Sequence, residues 1–182
     1  MRRTGAGGTL PATSPMKDRP MTAPYFAANP AELPDREALT SMSGLAFMRG
    51  ILDGTVPGPP IAQTLNYRLD SVADGRVTFR GSPLFDHCNP MGTVHGGWYG
   101  TLLDSCMACA VMTKVPRGSV YTTLEYKVNI IRPIPLGLEI LAEGIASHAG
   151  RSTGVAEGTI RGVEDGKLYA TGSTTCIIMK MT

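Results

Sequence analysis

Residues 87–104 read HCNPMGTVHGGWYGTLLD, which places a polar loop and a glycine pair before a nearly apolar segment. Asp104 is the only charged residue between the glycine pair and Lys114. A segment that is apolar all round predicts a helix buried in a core, here at about residues 96–113. A carboxylate in such a helix costs several kcal/mol unless it is paired, hydrogen-bonded or protonated. Because perturbed carboxylates concentrate at active sites, we interpret Asp104 as catalytic; the alternative is a structural acid near a subunit contact.

Gly96 and Gly97 stand where this predicted helix begins. The first turn of a helix presents unpaired backbone N–H groups and the positive end of the helix dipole. Glycine has no Cβ, so a ligand carbonyl can approach these donors closely, as in an oxyanion hole. A phosphate site would use the same physics, but the chain has no GxxxxGK[ST] motif. A glycine pair alone more often serves packing, whereas beside Asn89, His95 and Asp104 it indicates a site.

The spacing of these residues resembles the hotdog-fold acyl-CoA thioesterases, in particular the phenylacetate-pathway type and the related 4-hydroxybenzoyl-CoA thioesterases. The resemblance covers about residues 64–179 and depends on Asn89, Pro90, Gly92, His95-Gly96-Gly97 and an acid nine positions after the histidine. It implies hydrolysis of an acyl- or aryl-CoA thioester to a free acid and coenzyme A. It also implies that no cofactor is needed and that the chain forms a homodimer or homotetramer.

The resemblance assigns roles to five residues. The Gly96 N–H would polarise the thioester carbonyl, and Asp104 would act as general base on a water or attack as nucleophile. Asn89 would orient the water or bind the thioester oxygen, although Asn before Pro commonly only stabilises a turn. Thr123 would hold the water, although Thr is also common in strands for its β-propensity. His95 would organise the site without transferring protons.

Substrate binding is expected to involve four further residues. Coenzyme A is anionic, and Arg132 and Arg151 are the best candidates for its phosphates because the guanidinium fork suits phosphate oxygens; exposed arginines at strand ends can equally face solvent. Gly97 would lie against the carbonyl. Trp98 would line or shorten the acyl pocket, and packing at the helix start explains it equally well.

The order of elements predicts an α+β fold. Leu39, Met42, Leu45, Met48 and Leu52 recur at helical spacing, so we expect an N-terminal helix over 35–54. Strand-like stretches lie at about 61–70, 76–81, 119–132, 137–148, 151–163 and 167–180, with turns at Asp74-Gly75 and Asp165-Gly166. In 119–132 the alternation puts Val120, Leu124, Tyr126, Val128 and Ile130 on one side. In the hotdog fold that this order resembles, an antiparallel sheet of about six strands wraps around one long buried helix.

Composition predicts a single domain over 35–182 after a flexible tail over 1–34. The tail is rich in Gly, Pro, Ser and Thr and has no signal-peptide core, and Met1, Met16 and Met21 are all possible starts. Residues 1–20 carry a local charge of +3 within a chain of net charge +2, so the rest of the chain offers no basic nucleic-acid surface. The chain has no span long enough to cross a membrane.

The cysteines and histidines show no metal-ligand spacing such as HExxH, which argues against a metal-dependent mechanism. His148 has no partner pattern. The four cysteines form no disulfide framework, which favours a reducing, cytoplasmic setting.

Two other functions remain open at this stage. A hotdog hydratase or dehydratase acting on acyl thioesters would use the same fold with a different motif. A non-catalytic acyl-CoA-binding module would use the same cleft, although the set of Asp104, Asn89 and Gly96 argues against it. The acyl group, aliphatic or aryl, is undetermined.

The distance between the two halves of the site predicts that it is shared between two chains. Gly96 and Asp104 are eight residues apart, or about 12 Å along a helix. A base and an oxyanion donor must converge within roughly 3 Å of one reacting group. Two such helices packed antiparallel about a two-fold axis would bring the start of each beside the middle of the other.

Overall fold

The computed structural model describes residues 25–181. Besides two single-turn 3₁₀ helices, Pro30–Glu32 and Phe85–His87, this part of the chain contains four α-helices and six strands. In chain order they are α1 (Arg36–Thr40), α2 (Gly44–Asp53), α3 (Pro60–Thr64), β1 (Tyr67–Ala73), β2 (Arg76–Gly81), α4 (Gly96–Met112), β3 (Ser119–Ile130), β4 (Ile140–Ala149), β5 (Thr153–Gly162) and β6 (Leu168–Lys180).

The strands form one antiparallel sheet in the order β1-β2-β4-β5-β6-β3, which leaves β1 and β3 at its edges. The long helix α4 packs across one face of this sheet. Gly144 in β4 allows the close approach, because a Cβ there would overlap the backbone of Cys106. The predicted hotdog arrangement, with about six strands around one buried helix, is confirmed.

The core is built on the apolar surface of α4. Leu102, Leu103, Met107 and Val111 are fully buried against the sheet. Burying one such side chain is worth about 1.5–3 kcal/mol relative to leaving it exposed. The packing therefore holds α4 rigidly, and with it the acid at its third turn.

The N-terminal helix predicted over 35–54 is in fact two helices. Asp35 caps α1 by accepting from the Ala38 N–H, and Ser43 caps α2 by accepting from the Ala46 N–H. The second cap interrupts the helix, because Ser competes for backbone donors and favours a helix start.

The strand predicted at 61–70 is wrong in its first half. Pro60 begins the short helix α3, where a missing N–H costs nothing. The chain then turns through Asn66, whose φ is 54°, and β1 starts at Tyr67. The other predicted strands and both Asp-Gly turns are found within a few residues of their expected positions.

The predicted tail over 1–34 and its boundary at residue 35 also need a correction. The Ala27 N–H donates to Gly58 O at 3.0 Å, and the Ala27 side chain is buried. Residues 25–34 therefore pack on the domain, whereas the prediction for residues 1–24 lies outside the described residues. No helix in the described chain has the length and hydrophobicity to cross a membrane.

Candidate active site

Asp104 lies on the third turn of α4 and is half-buried. The Thr123 Oγ1 donates a hydrogen bond to Asp104 Oδ1 at 2.9 Å. Burial raises the pKa of Asp104, and the bond from Thr123 partly offsets that rise. No salt bridge neutralises this carboxylate within residues 25–181. Asp104 is thus a strengthened base with one oxygen held by a hydroxyl.

A β-bulge in β3 turns Thr123 toward Asp104. The register between β3 and β6 shifts between Thr123 and Glu125. As a result Tyr121 and Thr123 lie on the same face as Tyr126 and Ile130, the face that meets α4. The sequence placed Val120 and Leu124 with the later apolar residues. That prediction was wrong, because a bulge breaks the period of two.

His95 caps the start of α4. Its Nδ1 accepts from the Gly97 N–H at 2.9 Å. A Cβ at Gly97 would lie 2.9 Å from the same nitrogen, which explains the glycine. The donor of Gly97, expected at the substrate carbonyl, is therefore occupied. The Gly96 N–H has no acceptor within the described chain and is the free donor at this end.

Asn89 organises the loop before α4. Its Oδ1 accepts from the N–H groups of Met91 at 2.9 Å and Thr93 at 3.3 Å, and its Nδ2 donates to Thr93 Oγ1 at 2.8 Å. Both ends of the amide are thus engaged locally.

His87, for which no role was predicted, anchors the same loop. This buried ring accepts from the Leu84 N–H at 2.9 Å through Nδ1, and its Nε2 lies 3.0 Å from Thr64 O. The backbone of His95 donates to His87 O at 2.8 Å. The sequence did contain a signal for this role, because His87 lies among Pro, Asn and Gly residues. Such loops are often held by a buried polar side chain that pairs with backbone groups.

Trp98 belongs to the core. Its side chain is 2% exposed, its Nε1 donates to Leu65 O at 2.9 Å, and its ring stacks on His87 at 6.3 Å. Packing explains this residue, and it does not line the cavity beside α4 described below.

The two arginines expected at the coenzyme A phosphates are far apart in one chain. Arg132 lines a shallow depression with Thr93, Tyr99 and Ile130, near the start of α4. Arg151 lies in the turn before β5, where Ser152 O accepts from the Ile178 N–H at 2.9 Å. The two arginines therefore flank opposite ends of β6, separated by roughly 30 Å of strand.

The oxyanion donor and the acid are also separated. Gly96 and Asp104 belong to one helix, Gly96–Met112, and lie about 12 Å apart along it. The structure thus brings Asp104 together with Thr123, and His95 with Gly96 and Gly97, as two half-sites.

An apolar cavity of about 240 Å³ lies along α4, and its lining includes Ser105, the residue that follows Asp104 in the chain. Ser105, Cys109 and Met112 of α4 form one wall, and Tyr121 of β3 forms another. Within residues 25–181, no three His, Cys, Asp or Glu side chains form a cluster that could hold a metal ion.

Comparison with known proteins points to one family. Residues 91–169 match the family described as Thioesterase superfamily. The chain is 30% identical over 89 residues to acyl-coenzyme A thioesterase 13 of Mus musculus, a match that covers 49% of this chain and 63% of that protein. The matched region thus spans less than two thirds of the mouse relative.

Two solved structures share the fold. A phenylacetic acid degradation-related protein from Ralstonia eutropha is 28% identical, with a TM-score of 0.66 over 72% of this chain and 98% of that one. A thioesterase protein from Streptococcus pneumoniae, solved with coenzyme A, is 25% identical, with a TM-score of 0.57 over 64% of this chain and 88% of that one.

Proposed function

We propose that this chain is a hotdog-fold member of the thioesterase superfamily and hydrolyses acyl-CoA thioesters to a carboxylic acid and free coenzyme A. The observation that carries the proposal is the half-buried Asp104, which has no cationic partner in the described chain and is held by Thr123. Such a carboxylate is costly to fold and is suited to proton transfer.

Asp104 acts as a general base in this proposal. Thr123 occupies one carboxylate oxygen, which leaves the other to accept a proton from water. The water oxygen attacks the thioester carbonyl carbon, and the resulting tetrahedral intermediate collapses with cleavage of the carbon–sulfur bond. The proton removed from water passes to the departing thiolate. Direct attack by Asp104 is the alternative: it would expel the coenzyme A thiolate and form a mixed anhydride. Hydrolysis of that anhydride at the Asp104 carbonyl carbon would place one solvent oxygen in the carboxylate of Asp104 during a single turnover in H₂¹⁸O.

The Gly96 N–H, at the positive end of α4, stabilises the negative charge that develops on the carbonyl oxygen. His95 and Asn89 act as positioning residues, because they fix the helix start and the loop before it. Gly97 serves the same end by accommodating the His95 ring.

The active site is completed by a second copy of the chain. β3 is an edge strand, and its apolar side chains Leu124, Tyr126 and Ile130 are about half or more exposed. Gly96 lies beside Ile130, and Asp104 lies beside Thr123. Antiparallel pairing of β3 with its copy, centred near residues 126–127, would set Ile130 opposite Thr123 of the second copy. That register brings the Gly96 of one chain to the Asp104 of the other.

The same pairing relates the two arginines. Arg132 follows the end of β3 that would meet Thr123 of the second copy, and Arg151 precedes β5, where Gly154 is paired with Cys176 and Cys176 with Thr123. One chain's Arg132 and the other's Arg151 would then flank one site mouth and bind the coenzyme A phosphates. The thioesterase from Streptococcus pneumoniae, which was solved with coenzyme A, supports this choice of ligand.

A panel of acyl- and aryl-CoA thioesters, with thiol release followed by a chromogenic reagent, tests the function. We expect hydrolysis of at least one class, lost in the Asp104→Asn variant. Hydration of enoyl-CoA without thiol release would instead indicate a hydratase, and binding without turnover would indicate a binding module. The cysteines at 88, 106, 109 and 176 are all free, which supports a cytoplasmic location within this proposal.

A further inference from the structure

Most residues that line the cavity beside α4 lie N-terminal to the region that matches the thioesterase family. We call the lining within residues 26–62 the roof of the cavity. Ten of its sixteen lining residues lie within residues 26–62, whereas the family match begins at residue 91. Phe26, Phe47, Met48 and Ile51 contribute large apolar side chains from this roof. Most of the cavity lining thus comes from the N-terminal segment, and the rest comes from the sheet and α4.

The polar groups in the wall are already satisfied by one another. Ser105 Oγ lies 3.0 Å from the hydroxyl of Tyr67, and Tyr121 is hydrogen-bonded to Cys109. Burial raises the pKa of Cys109 to about 12, so its thiol stays protonated. No buried side-chain oxygen or nitrogen in the described chain lacks a partner. The wall therefore offers hydrocarbon contact and no free polar group for recognition.

The cavity is lined by chain neighbours of Asp104 and Thr123, although these two residues are not themselves in its lining. Ser105 follows Asp104 in α4, and Tyr121 precedes Thr123 by two residues on the same face of β3. From Ser105 the wall continues along one helix face to Cys109 and Met112, a length of about 10 Å at 1.5 Å per residue. A substrate whose thioester carbon sits at Asp104 would thus extend its acyl group along α4.

The volume and length of the cavity limit the length of the acyl group that it can hold. An apolar cavity of about 150 Å³ holds benzene, so the 240 Å³ here leaves room for about ten carbon atoms. An extended chain advances about 1.2 Å per bond, so 10 Å accommodates about eight bonds. We infer that this cavity binds a linear acyl chain of about eight to ten carbons, an inference that rests on the proposed thioesterase function. A single aryl ring would fill little more than half of the space.

The experiment measures kcat/KM for the linear acyl-CoA series from four to sixteen carbons, together with phenylacetyl- and benzoyl-CoA. We expect a rise to a maximum at eight to ten carbons and a fall beyond it, with both aryl substrates below that maximum. In parallel, binding of S-alkyl-CoA thioethers, which cannot be hydrolysed, is measured by calorimetry against coenzyme A itself. Affinity should rise by up to roughly fourfold per methylene until the cavity is full.

Filling the cavity supplies the matched comparison. Ile51 lines it, whereas Ile61 on α3 is 46% exposed and does not. Ile51→Trp should lower the ratio of decanoyl- to butyryl-CoA kcat/KM at least tenfold, and Ile61→Trp should leave that ratio at the wild-type value. Leu33→Trp, at a lining position that is 43% exposed, repeats the test where a larger side chain is easily tolerated.

The outcomes separate the two proposals. Chain-length-dependent thioether binding without hydrolysis of any thioester would refute the thioesterase function and keep the acyl site. Hydrolysis and binding that do not depend on chain length would refute the acyl site and keep the function. Preference for an aryl substrate, or equal ratios in Ile51→Trp and Ile61→Trp, would also overturn the inference.

Discussion

Two inactive variants should restore each other if the active site is shared between chains. The first is Asp104→Asn, which removes the basic oxygen with almost no change in shape. The second is Gly97→Val, whose Cβ would lie 2.9 Å from His95 Nδ1 and displace the start of α4. A displacement of about 1 Å at a catalytic group can cost on the order of 10²-fold in rate, and loss of a general base costs about 10²–10⁴-fold.

The expected recovery follows from the separation of the half-sites along α4. One chain cannot bring a base and an N–H donor that are about 12 Å apart to one carbonyl, so in the proposed dimer each site would take Asp104 from one copy and Gly96 from the other. A heterodimer of the two variants then holds one intact site and one doubly altered site. Equal mixing with free exchange makes about half of the dimers heterodimers, so specific activity should reach about a quarter of the wild-type value.

The assay mixes differently tagged variants under mild denaturant, removes the denaturant, and follows thiol release with the preferred acyl-CoA. Mass measurement of the isolated dimers confirms exchange, and each variant treated alone is the control. Activity that stays at the sum of the two controls, despite confirmed heterodimers, would show that each chain builds its own site.

Three further results are expected. Because burial raises the pKa of Asp104, kcat/KM should rise with pH, with an apparent pKa above the usual aspartate range. Thr123→Val should raise this apparent pKa further. An apparent pKa at or below the usual range would contradict the assignment of Asp104 as the base. The same raised pKa means that the charged carboxylate destabilises the fold at pH values above that pKa. Asp104→Asn should therefore increase Tm at neutral pH, and this increase should disappear as the pH falls through the pKa of Asp104. An equal Tm difference at every pH would contradict this. Trp98→Phe leaves the Leu65 carbonyl without its donor, so the free energy of unfolding in urea should fall by about 1–3 kcal/mol while the preferred acyl length stays the same; a changed preference would return Trp98 to the pocket.

Deleting residues 1–20 is a fourth test. This segment has no hydrophobic periodicity and few apolar residues, and such segments rarely pack. We expect Tm and kcat/KM to stay near the full-length values. A large loss in either would show that the segment docks on the domain.

The sequence predicted the features that repeat regularly along the chain. The all-apolar run around Asp104 defined α4, and alternation with Asp-Gly turns defined five of the six strands well. These features depend on local pattern, which a single sequence displays directly. The family resemblance assigned Asp104 and Thr123 to one site, but it expected Thr123 to hold the water and did not predict the hydrogen bond from Thr123 to Asp104.

What the sequence missed depends on contacts between distant residues. The hydrogen bonds from the Gly97 N–H to His95 and from the Asn89 amide to its own loop could not be predicted from the sequence. Residues within 26–62 line one cavity together with residues of α4 and β3, and no spacing motif in the sequence predicts such packing. Short helices such as Pro60–Thr64 are set by one proline and one turn, so periodicity could not separate them from a strand.

The bulge in β3 has a bearing on how this protein can evolve. Before the bulge the side chains that face α4 stand at odd positions, Tyr121 and Thr123, and after it at even positions, Tyr126 and Ile130. The half of β3 that carries Thr123 therefore presents its odd-numbered residues to α4, and the half that would pair with a second copy presents its even-numbered residues. Losing or gaining one residue between the two halves would move the side chains of one half to the opposite face of the sheet. Insertions and deletions should thus accumulate in the turns of this lineage and be purged from the middle of β3.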